Sequence, residues 1–237
     1  MRRFIQCVST VALLASASHS FANGFDYTKE DLADYSPENI TKPADSDNPF
    51  ARNGKAVYFF TGYMFAHAFW SGDTRTLTTG GGSVTYKPNQ LFADNYNAFE
   101  VGVGKEVSRY IDFQFAYLQY LEKTTSTTIA GNHFSTQVKM NGGLGDIAFI
   151  FNPDSQFQVS AKIGVVIAQY AISAAVNGSS YYPADDSTKI EPALGMDFLY
   201  NIIPSTGIRT GILYIADVQN SASYGTLLGT IGVNYTL

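Results

Sequence analysis

Leu227-Leu228-Gly229-Thr230-Ile231-Gly232-Val233-Asn234-Tyr235-Thr236-Leu237 is the stretch on which the fold turns. Leu227, Gly229, Ile231, Val233, Tyr235 and Leu237 alternate with Leu228, Thr230, Gly232, Asn234 and Thr236. Successive side chains of a β-strand point to opposite faces, so a period of two sorts these residues into one apolar face and one mostly polar or small face. A helix would scatter both sets around its circumference. The alternation predicts a strand that runs to the last residue.

Working back from it, the chain divides after Lys55 into eight period-two segments, with cores near 55–70, 96–107, 110–122, 135–151, 157–176, 188–202, 208–219 and 224–237. The third sets Ile111, Phe113, Phe115 and Tyr117 against Asp112, Gln114, Ala116 and Tyr120; the fifth sets Val159, Ile163, Val165 and Ile167 against Gln158, Ser160, Lys162 and Gly164. Connections alternate in length. Those near 108–109, 152–156 and 203–207 are tight and rich in turn residues, as in Asn152-Pro153-Asp154. Those at 71–95, 123–134 and 177–187 are long, although the last of that set, near 220–223, is short. This predicts an all-β, eight-stranded antiparallel up-and-down barrel with short turns at one end and longer loops at the other. Two irregularities are expected: a bulge where the phase slips between Met140 and Ile147 around Gly142, Gly143 and Gly145, and a lost ladder donor at Pro192.

Period two alone does not say which face meets solvent. The polar faces carry both signs of charge: Glu100, Asp112, Glu122, Glu191, Asp197 and Asp217 against Lys139, Lys162, Lys189 and Arg209. An eight-stranded interior is just wide enough to be filled by side chains, so these are expected to form an internal charge network. The apolar faces are free of charge over their middle, and aromatics such as Tyr63, Phe69, Tyr110, Tyr117, Tyr200 and Tyr235 fall near segment ends. That is the pattern of a transmembrane barrel with its apolar face in lipid and aromatic girdles at both interfaces. Hydrocarbon offers backbone groups no partner, so the first strand near Val57 must close on the last near Val233.

Composition points the same way. Charged residues are 15% of the 237 and aromatic residues 14%, against about 25% charged in ordinary soluble domains. Residues 1–22 read as a secretory signal: Arg2 and Arg3, an apolar stretch from Val8 to Ala17, then Ser20-Phe21-Ala22. Removing it takes two basic residues from a chain already at net charge −5, which disfavours a nucleic-acid partner. It also removes Cys7, the one cysteine, and with it disulfides, thiolate catalysis and cysteine metal sites. Residues 23–54, polar, acidic and broken by Pro37, Pro43 and Pro49, read as an N-terminal tail, and 55–237 as the barrel.

With the terminal strand ending in Tyr235 and Leu237, the barrel region resembles the small eight-stranded bacterial outer-membrane β-barrel family, which includes opacity-type adhesins and OmpX-like proteins. That family's terminal strand usually ends in Phe. The resemblance covers about residues 55–237 and implies location in the outer membrane of a Gram-negative cell. It also implies recognition of the C-terminal strand by the barrel-assembly machinery, and loops turned outward for adhesion, host or extracellular ligands, or envelope integrity.

Chemistry-bearing candidates are few. His133-Phe134-Ser135 resembles the His-x-Ser element of lipid A deacylases, with His133 as general base to Ser135 and Asp146 as a distant orienting acid. That family uses Glu in the third role. In the eight-strand reading His133 and Ser135 share phase with Lys139, which would point them inward. Gly80-Gly81-Gly82 lacks the Lys-Ser/Thr of a phosphate loop, His67 has no ligand-spaced partner, and Asp185-Asp186 lacks a calcium-loop pattern. Tyr181 and Tyr182 are the exposed-aromatic candidates for partner contact. The expectation is a non-enzymatic outer-membrane barrel without cofactor or metal. The alternatives are a lipid A-modifying enzyme and a small-solute channel, and a lipocalin-like carrier is the soluble rival.

Overall fold

The computed structural model describes residues 48–79, 82–129, 131–178, 181–217 and 223–237. The signal segment, most of the tail and Gly80-Gly81 lie outside the described residues. The elements are β1 (Val57–Trp70), β2 (Arg75–Thr79), β3 (Gly82–Tyr86), α1 (Pro88–Leu91), β4 (Asn95–Ser108), β5 (Ile111–Tyr120) and β6 (Lys123–Ile129). They continue with β7 (Asn132–Ile150), β8 (Phe157–Val176), β9 (Tyr182–Ile203), β10 (Thr206–Ala216) and β11 (Ser223–Thr236).

Every pairing is antiparallel, and the sheet closes on itself through β1 with β11 and β5 with β7. β5 and β6 both pair with β7 and together make one wall strand, so the ring has eight. Thr61 pairs with Val233, as closure requires. The β2–β3 hairpin and α1 form a separate insertion between β1 and β4.

The terminal strand behaves as its alternation predicts: Leu227, Ile231, Val233 and Tyr235 are exposed, while Leu228 and Asn234 are buried. Phe113, Phe115, Val165 and Ile167 likewise face outward. Cross-strand register shows how the outer face is graded. Tyr117, Gly143, Ile167 and Ile190 pair in one row across four strands, and Phe115, Gly145, Val165 and Pro192 pair in the next. One step toward the long-loop end the row becomes Gln119, Asn141, Gln169 and Thr188. An apolar belt thus ends at a polar row, the grading expected where lipid gives way to water.

Three sequence expectations are corrected. First, β7 keeps its register against β5 and β8 straight through Gly142, Gly143 and Gly145, with no bulge. The irregularity lies opposite, at Leu121–Glu122, where the β5–β6 side spends one residue more than β7. The phase had seemed to slip because Val138, Met140 and Leu144 are apolar yet point inward. Second, the stretches 123–134 and 177–187 are mostly strand, since β6, the start of β7 and the start of β9 occupy them. Lys123-Thr124-Thr125-Ser126-Thr127-Thr128-Ile129 is rich in β-branched threonine but polar on both faces, so strand propensity is present without hydrophobic alternation. Third, Tyr110 is buried in the β4–β5 turn and not part of an outer girdle. Pro192 faces outward in register with Val165, and pairing of β9 with β10 stops at Ala193, so the proline marks where β9 outruns its neighbour.

Candidate functional site

The lumen is filled in two layers of different chemistry. Near the short turns a chain of hydrogen bonds and ion pairs crosses it. Arg52, on the segment before β1, bonds Glu106 through Nε at 2.9 Å and pairs with Asp112 through Nη2. The Tyr58 hydroxyl donates to Asp112 at 2.7 Å and accepts from Gln114 Nε2 at 2.9 Å. Arg209 Nη2 donates to Gln114 Oε1 at 3.0 Å and to Asp197 at 2.7 Å, and Lys162 reaches the same Asp197 oxygen at 2.9 Å. Gln114 lies on β5 and Arg209 on β10, which stand opposite each other in the ring, so their bond spans the barrel interior. The Arg209 guanidinium also lies 3.9 Å from the Phe60 ring centre, a cation–π contact.

Glycine makes room for this lattice. Gly102 and Gly104 of β4 pair with Phe60 and Tyr58 of β1. A Cβ at either would run into the partner's ring. Large rings can therefore lie over bare backbone and present their edges to the charges.

Toward the long-loop end the lumen turns apolar. Met64, Leu118, Phe134, Met140, Val166 and Leu228 are buried there, with Leu77 of β2, Tyr86 of β3, Leu91 of α1 and Phe92 above them. Trp70 packs against Phe92 with ring centres 4.9 Å apart and planes tilted by 40°, and donates its indole N–H to Ala93 O at 2.7 Å. A smaller polar group sits among them: Tyr170 donates to Glu191 at 2.7 Å, and Lys189 lies 3.7 Å from Asp217.

Of the residues expected to form one internal charge network, Asp112, Lys162, Asp197 and Arg209 are joined in the lattice. Glu100 faces the same region and interacts electrostatically with Arg209. Lys189, Glu191 and Asp217 form the separate upper group. Lys139 is corrected. Its side chain is 51% exposed on the outer face and pairs with Glu122 at 2.8 Å. Because β7 has no bulge, its inward positions are the even ones, and Lys139 falls outside. The Lys139 ammonium, hydrogen-bonded to the Glu122 carboxylate, holds that carboxyl below its ordinary value.

The same parity turns His133 and Ser135 outward, opposite to their expected phase. Ser135 Oγ hydrogen-bonds Tyr181 OH at 2.8 Å, and Asp146 is buried in the lumen near the other end of β7. The three residues are not brought together. Tyr181 is exposed just before β9, whereas Tyr182, its first residue, packs against the apolar core. Arg52, Tyr58 and Gln114 were missed. Arg52 sits in what reads as tail, and tyrosine and glutamine carry no charge to flag them.

No protein-family model matches the sequence, and no curated protein matches it. Among solved structures, Ail, the attachment invasion locus protein of Yersinia pestis, aligns with TM-score 0.51 at 12% identity, covering 77% of this chain and 99% of Ail. OprG from Pseudomonas aeruginosa aligns with TM-score 0.48 at 11% identity, covering 81% of this chain and 99% of OprG. The chain has the fold of the small eight-stranded outer-membrane β-barrels. In such a barrel the short turns lie on the periplasmic side and the longer connections outside the cell. Arg52 then braces the periplasmic mouth, where Arg52 N also bonds Pro153 O at 3.2 Å and Asn48 bonds Asp154 O at 2.6 Å. The apolar layer and its insertion close the outer mouth.

Proposed function

We propose that the protein is a non-enzymatic barrel of the bacterial outer membrane that carries a rigid β-wall outward for contact with an external partner. One observation carries this reading: β7, β8 and β9 are 19, 20 and 22 residues long, whereas about 9–11 residues suffice to span a bilayer as a tilted strand. The surplus, with β6, stands beyond the polar row of Gln119 and Asn141 and is faced with threonine, serine, Tyr181 and charged side chains. The filled lumen supports a scaffold over a channel, and the separation of His133 and Ser135 from Asp146 supports it over a deacylase. Ail, by name an attachment protein, is in keeping with the same role. β11, with Tyr235 outward and Leu237 exposed just past its end, is the segment we assign to the barrel-assembly machinery.

The test is attachment of cells displaying the protein to cultured epithelial cells, compared with a variant in which residues 124–137 and 172–185 are replaced by two-residue turns closing on the pairs Lys123–Val138 and Ala171–Asp186. Attachment that requires the extensions, with the shortened barrel still assembled, is the expected result. Equal attachment by both would remove the contact role.

A further inference from the structure

Residues 48–56 reach β1 by crossing the short-turn mouth. At one end Asn48 Nδ2 donates to Asp154 O at 2.6 Å and Arg52 N to Pro153 O at 3.2 Å, both on the β7–β8 turn. That turn joins the third and fourth strands counted round the ring from β1, nearly opposite it. At the other end Ala56 O accepts from Glu106 N at 2.9 Å, where the pairing of β1 with β4 begins. Between these ends two carboxylates do the holding. Arg52 Nε, Gly54 N and Ala56 N bond Glu106 at 2.9, 2.9 and 3.4 Å, and Arg52 Nη2 pairs with Asp112. Arg52, Glu106 and Asp112 are all buried. Among the described residues the other cations near this mouth are engaged elsewhere. Arg109 of the β4–β5 turn pairs with Asp154, Arg209 of β10 and Lys162 of β8 meet on Asp197 of β9, and Lys105 of β4 reaches Lys55 O. Tyr58 of β1 gives Asp112 only a neutral hydroxyl, and Glu100 of β4 and Asp146 of β7 add further buried acid above.

We propose that this segment is an acid-released strap: proton uptake by Glu106 and Asp112 frees it from the mouth while the barrel wall stays closed. A guanidinium cannot shed its charge when its partners lose theirs. Left between two neutral acids, Arg52 would be an uncompensated buried charge, and the bonds that hold Gly54 and Ala56 to Glu106 would no longer be charge-assisted. Water at the mouth is the alternative, and Arg52 leaves for it. Arg209 and Lys162 meet the same acid but hang from strands that backbone ladders hold on both sides. The strap has no ladder. It is therefore docked above the carboxylate range and released as pH falls through it. Release adds residues 48–55, up to about 28 Å of extended chain, to the reach of the N-terminal segment at this mouth.

The test is backbone 15N relaxation of the purified chain in detergent micelles, at neutral pH and at about pH 3, below the ordinary carboxylate values of about 4. At neutral pH the heteronuclear NOE of Arg52, Asn53 and Gly54 is expected to match that of Thr61 in β1. In acid it is expected to fall at least about twofold, while Thr61 and its partner Val233 keep theirs. Glu106→Gln combined with Asp112→Asn is expected to give the low value at both pH values. Arg52→Gln, which leaves every wall side chain in place, is expected to do the same and decides the matter if the double variant does not assemble. A parent NOE at Arg52 to Gly54 that is unchanged in acid overturns the proposal, and so does a high value at neutral pH in Arg52→Gln. Loss of the Thr61 and Val233 signals together with those of the strap would be acid unfolding of the whole barrel, and overturns it too.

Discussion

Arg209 shows how much of the fold can depend on one side chain. Its Nη2 serves both Gln114 across the lumen and Asp197 beside it, over the Phe60 ring. Removing one partner of a buried pair leaves an uncompensated charge, so Arg209→Met should cost about 3–5 kcal/mol. Arg209→Lys keeps the charge but loses the planar fork and should cost less. Urea unfolding in phospholipid vesicles measures both, and a Met variant as stable as the parent would show that the lattice contributes nothing. Glycines divide by face. Gly104→Val pushes Tyr58 off β4 and weakens its bond to Asp112, at about 1–3 kcal/mol for the overpacking. Gly143→Ala points into open space on the outer face and should stay within about 0.5 kcal/mol of the parent in the same assay.

At the scale of elements, the segments that cross the membrane were legible because one face there must be apolar and the other need not be. β11, β4 and β8 match their expected ranges to within a residue or so. Legibility failed where that contrast vanishes. Beyond the lipid both faces of β6 are polar, and it reads as loop; β1, whose two faces are both apolar in the outer half of the lumen (Met64, Ala66 and Ala68 inside, Phe65 and Phe69 outside), was still placed, its expected core at 55–70 against Val57–Trp70. The charge network was half legible. Sign and phase placed Asp112, Asp197, Lys162 and Arg209 inside, whereas Lys139 was misplaced with the supposed β7 bulge. The Glu122–Lys139 pair offers a local readout of that correction. With its folded pKa depressed, Glu122 gains from the pair above the ordinary glutamate value of 4.5 and loses that gain as pH falls through the folded value. Carboxyl carbon shifts followed against pH should show a midpoint below 4.5, and Lys139→Met should move it back upward. A midpoint unmoved by that substitution would place the lysine away from Glu122.

For the whole molecule, two unlike seals close one lumen. The periplasmic seal is electrostatic: Arg52, on the segment that enters the mouth, bridges Glu106 and Asp112, and Glu106 Oε2 accepts from Gly54 N at 2.9 Å. The outer seal is apolar and built from the wall together with the β2–β3 insertion and α1. If each layer blocks water by itself, loosening one will not open a channel. Arg52→Ala leaves two buried carboxylates without their cation and frees the segment before β1. Backbone amides of Gly54 and Ala56, whose acceptor is Glu106, should then exchange with deuterium at least about tenfold faster, as local opening no longer has an ion pair to break. Amides of Leu118 and Leu144, deep beside the apolar layer, should keep the parent rate. Planar bilayers should show no conductance steps for parent or variant. Steps in the variant alone would mean that the apolar layer is no seal, and steps in the parent would mean that the lumen is not filled in the membrane.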